Sequence, residues 1–370
     1  MKSIISMIKV PFSFLLFLSV VAAAQHDQSV LKSLDSLYAA TFKTGDPGGA
    51  VLIAKDGKVL YKKGFGVEDI QTKKPITTES LFNVGSISKT FVAFAILRLA
   101  DEGKLSLTDD LYKYFPDFHN TAIAKKIKIY NLLTHTSGLP DIRKIVEDSV
   151  FFLTAKDEEN FSPIKQTDAL NFEPGERFEY SNPAFNGLAL IIEKVTGMKW
   201  QDYVKKYIYK PSGMVHSDIT DGPHPQSGVS HGYLQDGNKF FEKDYGEEPT
   251  FAAAGNGGVW STVDELWKYE QAIQKHVFVK ESIVQKARTI YPFPNWKDDK
   301  PPFIGLCWFI TTGNGVKLIG HTGSQGGFRG DYQWAPEKKI FFVVLTNTPQ
   351  PIEGLQEKTF DILQRYNWLN

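Results

Sequence analysis

Asn83-Val84-Gly85-Ser86-Ile87-Ser88-Lys89-Thr90-Phe91 runs directly into Val92-Ala93-Phe94-Ala95-Ile96-Leu97. Small residues and a glycine give way to an apolar run, and the pattern predicts a buried helix over about 86–102 with Ser86 at or near its N-terminus. Lys89 follows Ser86 by three residues, the spacing that puts two side chains on one helix face. A hydroxyl is a weak nucleophile until a base takes its proton, and an amine one turn away can do so once its own charge is suppressed. Unpaired N–H groups at the helix start would stabilise the anion left when the hydroxyl adds to a carbonyl. Ser-x-x-Lys alone is a common tetrapeptide whose plain alternative is a solvated helix start, so the flanking sequence has to decide.

On the N-terminal side, Leu31, Leu34, Leu37 and Tyr38 mark an amphipathic helix over 25–45 that ends near Gly45. Ala50–Ala54 and Val59–Tyr61 flank Asp56-Gly57, a strong hairpin signal. On the C-terminal side, to about residue 300, helical stretches such as Ala184–Val195 and Asp264–Lys275 alternate with loops rich in Pro, Gly and Asn. Thr262-Val263-Asp264-Glu265 has the form of a capping box. Strand patterns return at Gly305–Thr312, Val316–Gly320, Phe328–Trp334 and Ile340–Asn347, with a turn at Pro336–Lys339, and a helix closes the chain from about Ile352 to Tyr366. Strands at the two ends of the sequence most economically share one antiparallel sheet, with a helical region inserted between them. The expected class is α/β of the α+β type. Its sheet lobe would take residues 25–85 and 301–370, and its helical lobe residues 86–300.

The 370 residues are 42% hydrophobic and 13% aromatic, enough for one large globular unit or two closely packed ones. Lys2 and Lys9 precede an apolar run over Val10–Val21, and Ala22-Ala23-Ala24 supplies small residues, so 1–24 reads as a cleaved export signal rather than a membrane span. Without it the chain carries 40 basic against 42 acidic residues. That near-neutral balance, with no basic block, argues against nucleic acid as a partner. Cys307 is the single cysteine, so no internal disulfide forms, and in Gly305-Leu306-Cys307-Trp308-Phe309-Ile310 it is expected to pack as a small apolar residue in a strand. No cysteine near Ala24 can receive a lipid. The expectation is a periplasmic or secreted protein with no membrane anchor after signal cleavage. The eight histidines show neither His-Glu-x-x-His nor cysteine pairing, so no metal is called for.

Two further motifs follow in order. Phe178-Glu179-Tyr180-Ser181-Asn182-Pro183 leads a loop into a helix, where a phenol and an amide two residues apart can point the same way. The phenol can relay a proton, and the amide can bond both substrate and lysine. His321-Thr322-Gly323-Ser324 ends a strand pattern before Gly326-Gly327, and on an edge strand it could bond a substrate laid alongside, with Gly323 permitting close approach. Each motif alone is ordinary: a packed tyrosine at a helix entry, a strand end before a turn.

Together, in this order and at these separations, Ser-x-x-Lys, Tyr-Ser-Asn and His-Thr-Gly resemble the triplet of penicillin-recognising serine hydrolases, which include class C β-lactamases, D,D-carboxypeptidases, D-aminopeptidases and related esterases. Asp101–Leu107, Leu132–Pro140 and Gly257–Thr262 also resemble family segments and read as scaffold, His135 included. The resemblance implies the β-lactamase/transpeptidase-like fold, with Ser86 as nucleophile and Lys89 and Tyr180 sharing the general-base and general-acid work. It implies that Asn182 binds the substrate's amide, that Thr322 and Gly323 line the strand edge beside His321, and that the N–H groups of Ser86 and Ser324 form the oxyanion hole. No cofactor is implied, the substrate is a small molecule or short peptide, and the oligomeric state is open. Most β-lactamases carry lysine where this chain has His321. A histidine near its ordinary pKa of ~6.5 is mostly neutral at pH 7, which weakens the pull on a substrate carboxylate. Arg329 is a candidate replacement cation.

The reading is therefore an exported serine hydrolase that forms an acyl-enzyme on Ser86 and acts on an amide or ester, such as a D-amino-acid peptide. A β-lactamase and a penicillin sensor without turnover are the alternatives. Gly228-Val229-Ser230-His231-Gly232 matches the Gly-x-Ser-x-Gly elbow but lacks the strand before and the helix after that the elbow requires.

Overall fold

The computed structural model describes residues 28–141, 149–219, 229–237, 239–242, 252–348, 352 and 354–369. The export signal read over 1–24 lies outside them. Strands β1 (Gly49–Lys55) and β2 (Lys58–Phe65) form the first hairpin. β3 (Phe82–Asn83), β4 (Asp218–Ile219), β5 (Tyr233–Asp236), β6 (Lys239–Glu242) and β7 (Val259–Ser261) are short. β8 (Phe309–Gly313), β9 (Val316–Gln325), β10 (Phe328–Ala335) and β11 (Ile340–Thr346) close the sheet.

The main sheet has the order β2-β1-β11-β10-β9-β8 and is antiparallel throughout. Its centre joins the two ends of the chain, Gly49 lying opposite Thr346 and Lys55 opposite Ile340. The hairpin turns tightly at Asp56 and Gly57, whose φ values of 49° and 79° suit the twist of the flanking strands. β1 and β11 are buried on both faces, which is why they read as continuous apolar runs. Val51, Ile53, Phe342 and Val344 pack under the N-terminal helix over 28–41 and the C-terminal helix Leu355–Arg365. Leu52, Phe341, Val343 and Leu345 face the helical region instead. Tyr38 and Thr359 bond at 2.6 Å between the two terminal helices.

The helix Ser88–Asp101 is the axis of the larger core. Phe91 through Leu97 are all fully buried, so the helix is apolar all round. At roughly 1.5–3 kcal/mol for each large apolar side chain removed from water, this packing outweighs the cost of holding a lysine among them. Ser86 itself sits one turn earlier, in a 3-10 turn Gly85–Ile87, so the α-helix begins two residues later than the sequence pattern predicts.

Cys307 differs from expectation. It is buried, but it lies in a left-handed turn at φ 79°, not in a strand. The Gly305 N–H donates to Trp308 O and the Cys307 N–H to Leu133 O, and together they curl the chain before β8 can start at Phe309. The Gly-x-Ser-x-Gly match builds no elbow: Val229–Gly232 runs into strand β5 rather than a helix, Ser230 is buried, and Gly228 lies outside the described residues.

Candidate active site

Every residue from Leu81 to Leu97 is buried except Ser86, which is partly exposed. The turn that carries it is held on two sides. On one side β3 pairs with β7, the Val84 N–H donates to Val259 O, and Asn83 Oδ1 accepts the Gly85 N–H at 2.8 Å. On the other side the turn abuts β9. β8 pairs with β9 only from Val316 to Gly320, so His321–Gln325 forms a free edge against the Ser86 turn.

The approach across that edge is close enough to require glycine on both sides. A Cβ on Gly323 would lie 2.0 Å from Val84 O and 3.2 Å from the Ser86 backbone nitrogen. A Cβ on Gly85, already at φ 51°, would lie 2.6 Å from the Ser324 nitrogen. The backbone nitrogens of Ser86 and Ser324 both lie at this seam between turn and strand, the pair of N–H groups an oxyanion hole would use.

Lys89 is fully buried and its Nζ donates to three oxygens: Ser86 Oγ at 3.0 Å, Asn182 Oδ1 at 2.8 Å and the Asn256 main-chain carbonyl at 2.6 Å. An ammonium has three protons, and these three oxygens can accept them. When it loses one, the two carbonyl oxygens still claim the remaining two protons, because neither oxygen can donate. The lone pair can then face Ser86 Oγ, a partner that, unlike the two carbonyl oxygens, has a proton to give.

The second motif is placed by His135. Asn182 opens the helix Asn182–Thr196, capped by Ser181, whose Oγ accepts from the Ala184 N–H at 3.3 Å. The Ser181 N–H donates to His135 Nδ1 at 3.0 Å, the Glu179 N–H to His135 O, and the imidazole stacks on the Tyr180 ring at 4.3 Å. Lys89 Nζ lies 5.1 Å from the Tyr180 ring centroid, within cation–π range. Burial and the Lys89 charge hold His135 well below the usual imidazole range. The sequence reading that took His135 as scaffold missed that it touches Tyr180 directly.

His321 is buried in β9, its ring 5.0 Å from Phe309 and 6.3 Å from Tyr180. Its Nδ1 lies 2.6 Å from Thr322 O, so this nitrogen carries the proton. Burial first, then the Lys89 charge, push its pKa down to about 3. His321 is neutral at any physiological pH, more firmly than its ordinary value implies. Thr322 and Ser324 are exposed and alternate with the buried His321 and Gly323 along the strand. Arg329 lies opposite Ser324 on β10, one strand in from that edge.

Asn256, Asn186 and Asp157 were not singled out in the sequence. A main-chain carbonyl leaves no side-chain signature, and the signal available was the small-residue run Ala252–Gly258, whose lack of bulk permits close packing. Among the described residues no cluster of histidine, cysteine or carboxylate side chains could hold a metal ion, and no helix is long and apolar enough to cross a membrane.

A partly exposed hydroxyl just before a buried helix, bonded by a buried amine and flanked by the sheet edge, is the site of a serine hydrolase. The chain belongs to the beta-lactamase family, whose profile matches residues 34–366. It is 29% identical over 314 residues to penicillin-binding protein 4* of Bacillus subtilis, covering 81% of this chain and 68% of that protein. It is 30% identical to protein flp of Staphylococcus aureus, and there it spans 59% of the relative's length. The octameric penicillin-binding protein homologue from Pyrococcus abyssi superposes with a TM-score of 0.75 at 28% identity, over 93% of this chain and 77% of that one. The D-amino acid amidase of Ochrobactrum anthropi SV3 gives 0.75 at 19% identity, a likeness of fold, over 93% and 99% of the two chains.

Proposed function

We propose that this protein is an exported hydrolase that forms an acyl-enzyme on Ser86 and passes the acyl group of an amide or ester to water. The observation that carries the reading is the placement of Lys89 between Ser86 Oγ and two oxygens that cannot donate. Lys89, deprotonated, takes the Ser86 proton as Oγ adds to the substrate carbonyl carbon, and the oxyanion is received by the Ser86 and Ser324 N–H groups. The tetrahedral adduct collapses, the bond to the leaving nitrogen or oxygen breaks, and that atom takes a proton through Lys89 and Tyr180. Water then adds to the acyl carbon by the same route in reverse. Asn182, with its carbonyl on Lys89, keeps its amide N–H groups for the substrate. No step calls for a metal or an organic cofactor.

The favoured substrates are D-amino-acid peptides, amides and small esters rather than β-lactams. A neutral His321 offers no charge to the carboxylate that a penicillin carries, and Arg329 stands one strand back from the edge. The test is a panel of nitrocefin, D-alanyl-D-alanine peptides and p-nitrophenyl esters, run on the protein and on Ser86→Ala. Turnover lost in Ser86→Ala, with esters or amides ahead of nitrocefin, supports the proposal. Equal turnover by both proteins refutes it. A stable fluorescent-penicillin label on Ser86 without product release would instead mark a sensor. Export is tested by fractionating the producing cells, the proposal failing if the full-length chain stays in the cytosol with residues 1–24 intact.

A further inference from the structure

Beyond Asn256, whose carbonyl accepts from Lys89, lies a buried acid that the proposed reaction does not use. Asp157 begins the short helix Asp157–Phe161 and is buried. Its Oδ1 accepts the Gly255 N–H at 2.8 Å and the Asn186 amide at 2.7 Å. Asn186, fully buried in the helix Asn182–Thr196, also donates to Asn256 Oδ1 at 3.1 Å. The carbonyl of Asn256 takes the shortest of the three bonds from Lys89. Asp157 thus reaches the amine through one side chain and one peptide: Asp157 to Asn186 to Asn256 to Lys89.

We propose that Asp157 is a positioning residue for Lys89: by clamping the loop Ala252–Gly258 at Gly255 directly and at Asn256 through Asn186, it aims the Asn256 carbonyl at the amine. The inference rests on Lys89 acting on Ser86. Its force comes from the geometry of the lone pair. If the Asn256 carbonyl turns away, neutral Lys89 can direct a proton rather than its lone pair at Ser86, and the hydroxyl loses its base.

The loop has little of its own to hold it. It is made of alanine, glycine and Asn256, and its carbonyls and N–H groups are also held by Ala252 N–H to Leu153 O at 2.7 Å, by the Trp200 indole to Ala253 O at 3.0 Å and by turn bonds to Ala252 O and Ala254 O. Gly255 is wedged so tightly that a Cβ there would meet Ala189 Cβ at 2.7 Å and Phe185 O at 2.8 Å. Besides Lys89, Asp157 is an ionisable side chain that bonds this loop. Burial, with Glu193 facing it from the helix Asn182–Thr196, pushes its carboxyl up to about 7, while the bonds from Gly255 and Asn186 pull the other way. The bonds from Gly255 and Asn186 both end on Oδ1, which accepts whether or not Oδ2 holds a proton, so an uncharged isostere can keep these two bonds, while the Trp200 indole also donates to the carboxylate.

The experiment compares wild type, Asp157→Ala, Asp157→Asn and Asn186→Ala in two measurements. Steady-state hydrolysis of p-nitrophenyl acetate gives kcat and KM, and hydrogen exchange followed by mass spectrometry reads the peptide spanning 252–262 without any need for turnover. Asp157→Ala and Asn186→Ala should lower kcat by about tenfold to a hundredfold, with KM changed less than about threefold because neither residue reaches the cleft. The same two variants should exchange faster at 252–262, and Asp157→Asn should restore both quantities towards wild type. Wild-type exchange or wild-type kcat in a folded Asp157→Ala overturns the clamp, as does an Asp157→Asn protein as impaired as the alanine variant. Should Asp157→Ala fail to fold by circular dichroism, Asn186→Ala decides by the same two readings. Should the wild type hydrolyse nothing, the proposed function falls, and the exchange data alone decide whether Asp157 and Asn186 hold the loop.

Discussion

Replacing Gly323 by alanine tests whether the contact between the Ser86 turn and the sheet edge is catalytic. The new Cβ would stand 2.0 Å from Val84 O, whereas real Cβ atoms are essentially never found nearer than 3.0 Å, so turn and strand must part by about 1 Å. The obstacle is a main-chain carbonyl, so no rotamer change relieves it. The parting falls between the Ser86 and Ser324 nitrogens, and a misplacement of that size costs roughly a hundredfold in rate, while losing an oxyanion donor outright costs ~2.7–4 kcal/mol. Gly323→Ala should therefore lower kcat on a p-nitrophenyl ester by about a hundredfold or more, for a stability loss of only ~1–3 kcal/mol by urea denaturation, since the strain falls at a free edge. Gly315→Ala is the control. At φ 70° with open space around its Cβ, it should cost about 1 kcal/mol of stability and leave kcat alone. A stable Gly323→Ala enzyme within threefold of wild type would refute the idea that this approach forms the oxyanion site.

Three other outcomes follow from buried groups. Arg288 bonds Glu270 through both nitrogens at 2.8 and 2.7 Å, and Tyr332 donates to the same carboxylate. Arg288→Met strands that buried charge and should cost ~3–5 kcal/mol by urea denaturation, while pairing it with Glu270→Leu should recover much of the loss. A double variant no more stable than the single one would contradict this. Cys307 occupies a left-handed turn, so Cys307→Gly relieves strain of ~1 kcal/mol that Cys307→Ala retains, and the glycine variant should be the more stable despite its smaller side chain. The reverse order of denaturation midpoints would show that the turn relaxes. The third outcome concerns pH. His135 and His321 are held neutral, so the unfolded chain binds protons below ~6.5 that the folded one refuses, and stability falls as pH drops from there towards 3. Asp157, raised from 3.8 to about 7, has the opposite sign, its contribution present at low pH and lost as pH rises through 7. Asp157→Asn removes the opposing slope, so stability should climb between pH 4.5 and 6.5 more steeply than in wild type, by up to ~1.4 kcal/mol per unit. An unchanged slope would mean that Asp157 is ionised throughout.

The elements legible in the sequence were those decided by local chemistry. Asp56-Gly57 can only turn where positive φ is cheap, and the run Phe91–Leu97 can only be buried, so the hairpin and the central helix follow from neighbours along the chain. The three motifs were legible because each carries reactive side chains at short spacing. What failed to show was set by contacts distant in sequence. Gly305–Ile310 has the composition of a strand, but the carbonyl of Leu133 captures the Cys307 N–H and curls it. Asp157 stands in Lys156-Asp157-Glu158-Glu159, which reads as a solvated helix start, and groups distant in sequence, Gly255 and Asn186 among them, make one of those acids internal. His135 was seen within Leu132–Pro140, but its bond to Ser181 spans 46 positions and is invisible until the loop and helix meet.

Burying an amine is costly, and the architecture shows how this fold meets the cost without quenching the chemistry. A carboxylate beside Lys89 would satisfy it best, yet would hold it permanently charged and useless as a base. The partners found are instead neutral oxygens, the Asn182 amide and the Asn256 peptide, which satisfy the protons of either form. Asp157 is kept one residue further out, where Asn186 passes on its orientation while the distance dilutes its charge. His135 and His321 flank the same amine and are themselves kept neutral by burial and by its charge. The position of each group is thus coupled to the charge of Lys89: neutral dipoles within reach, an ionisable acid only at a remove. In the proposed mechanism that ordering leaves a desolvated lysine free to give and take one proton, and it makes the sheet edge, the loop at 252–258 and the two histidines parts of a single device around Ser86.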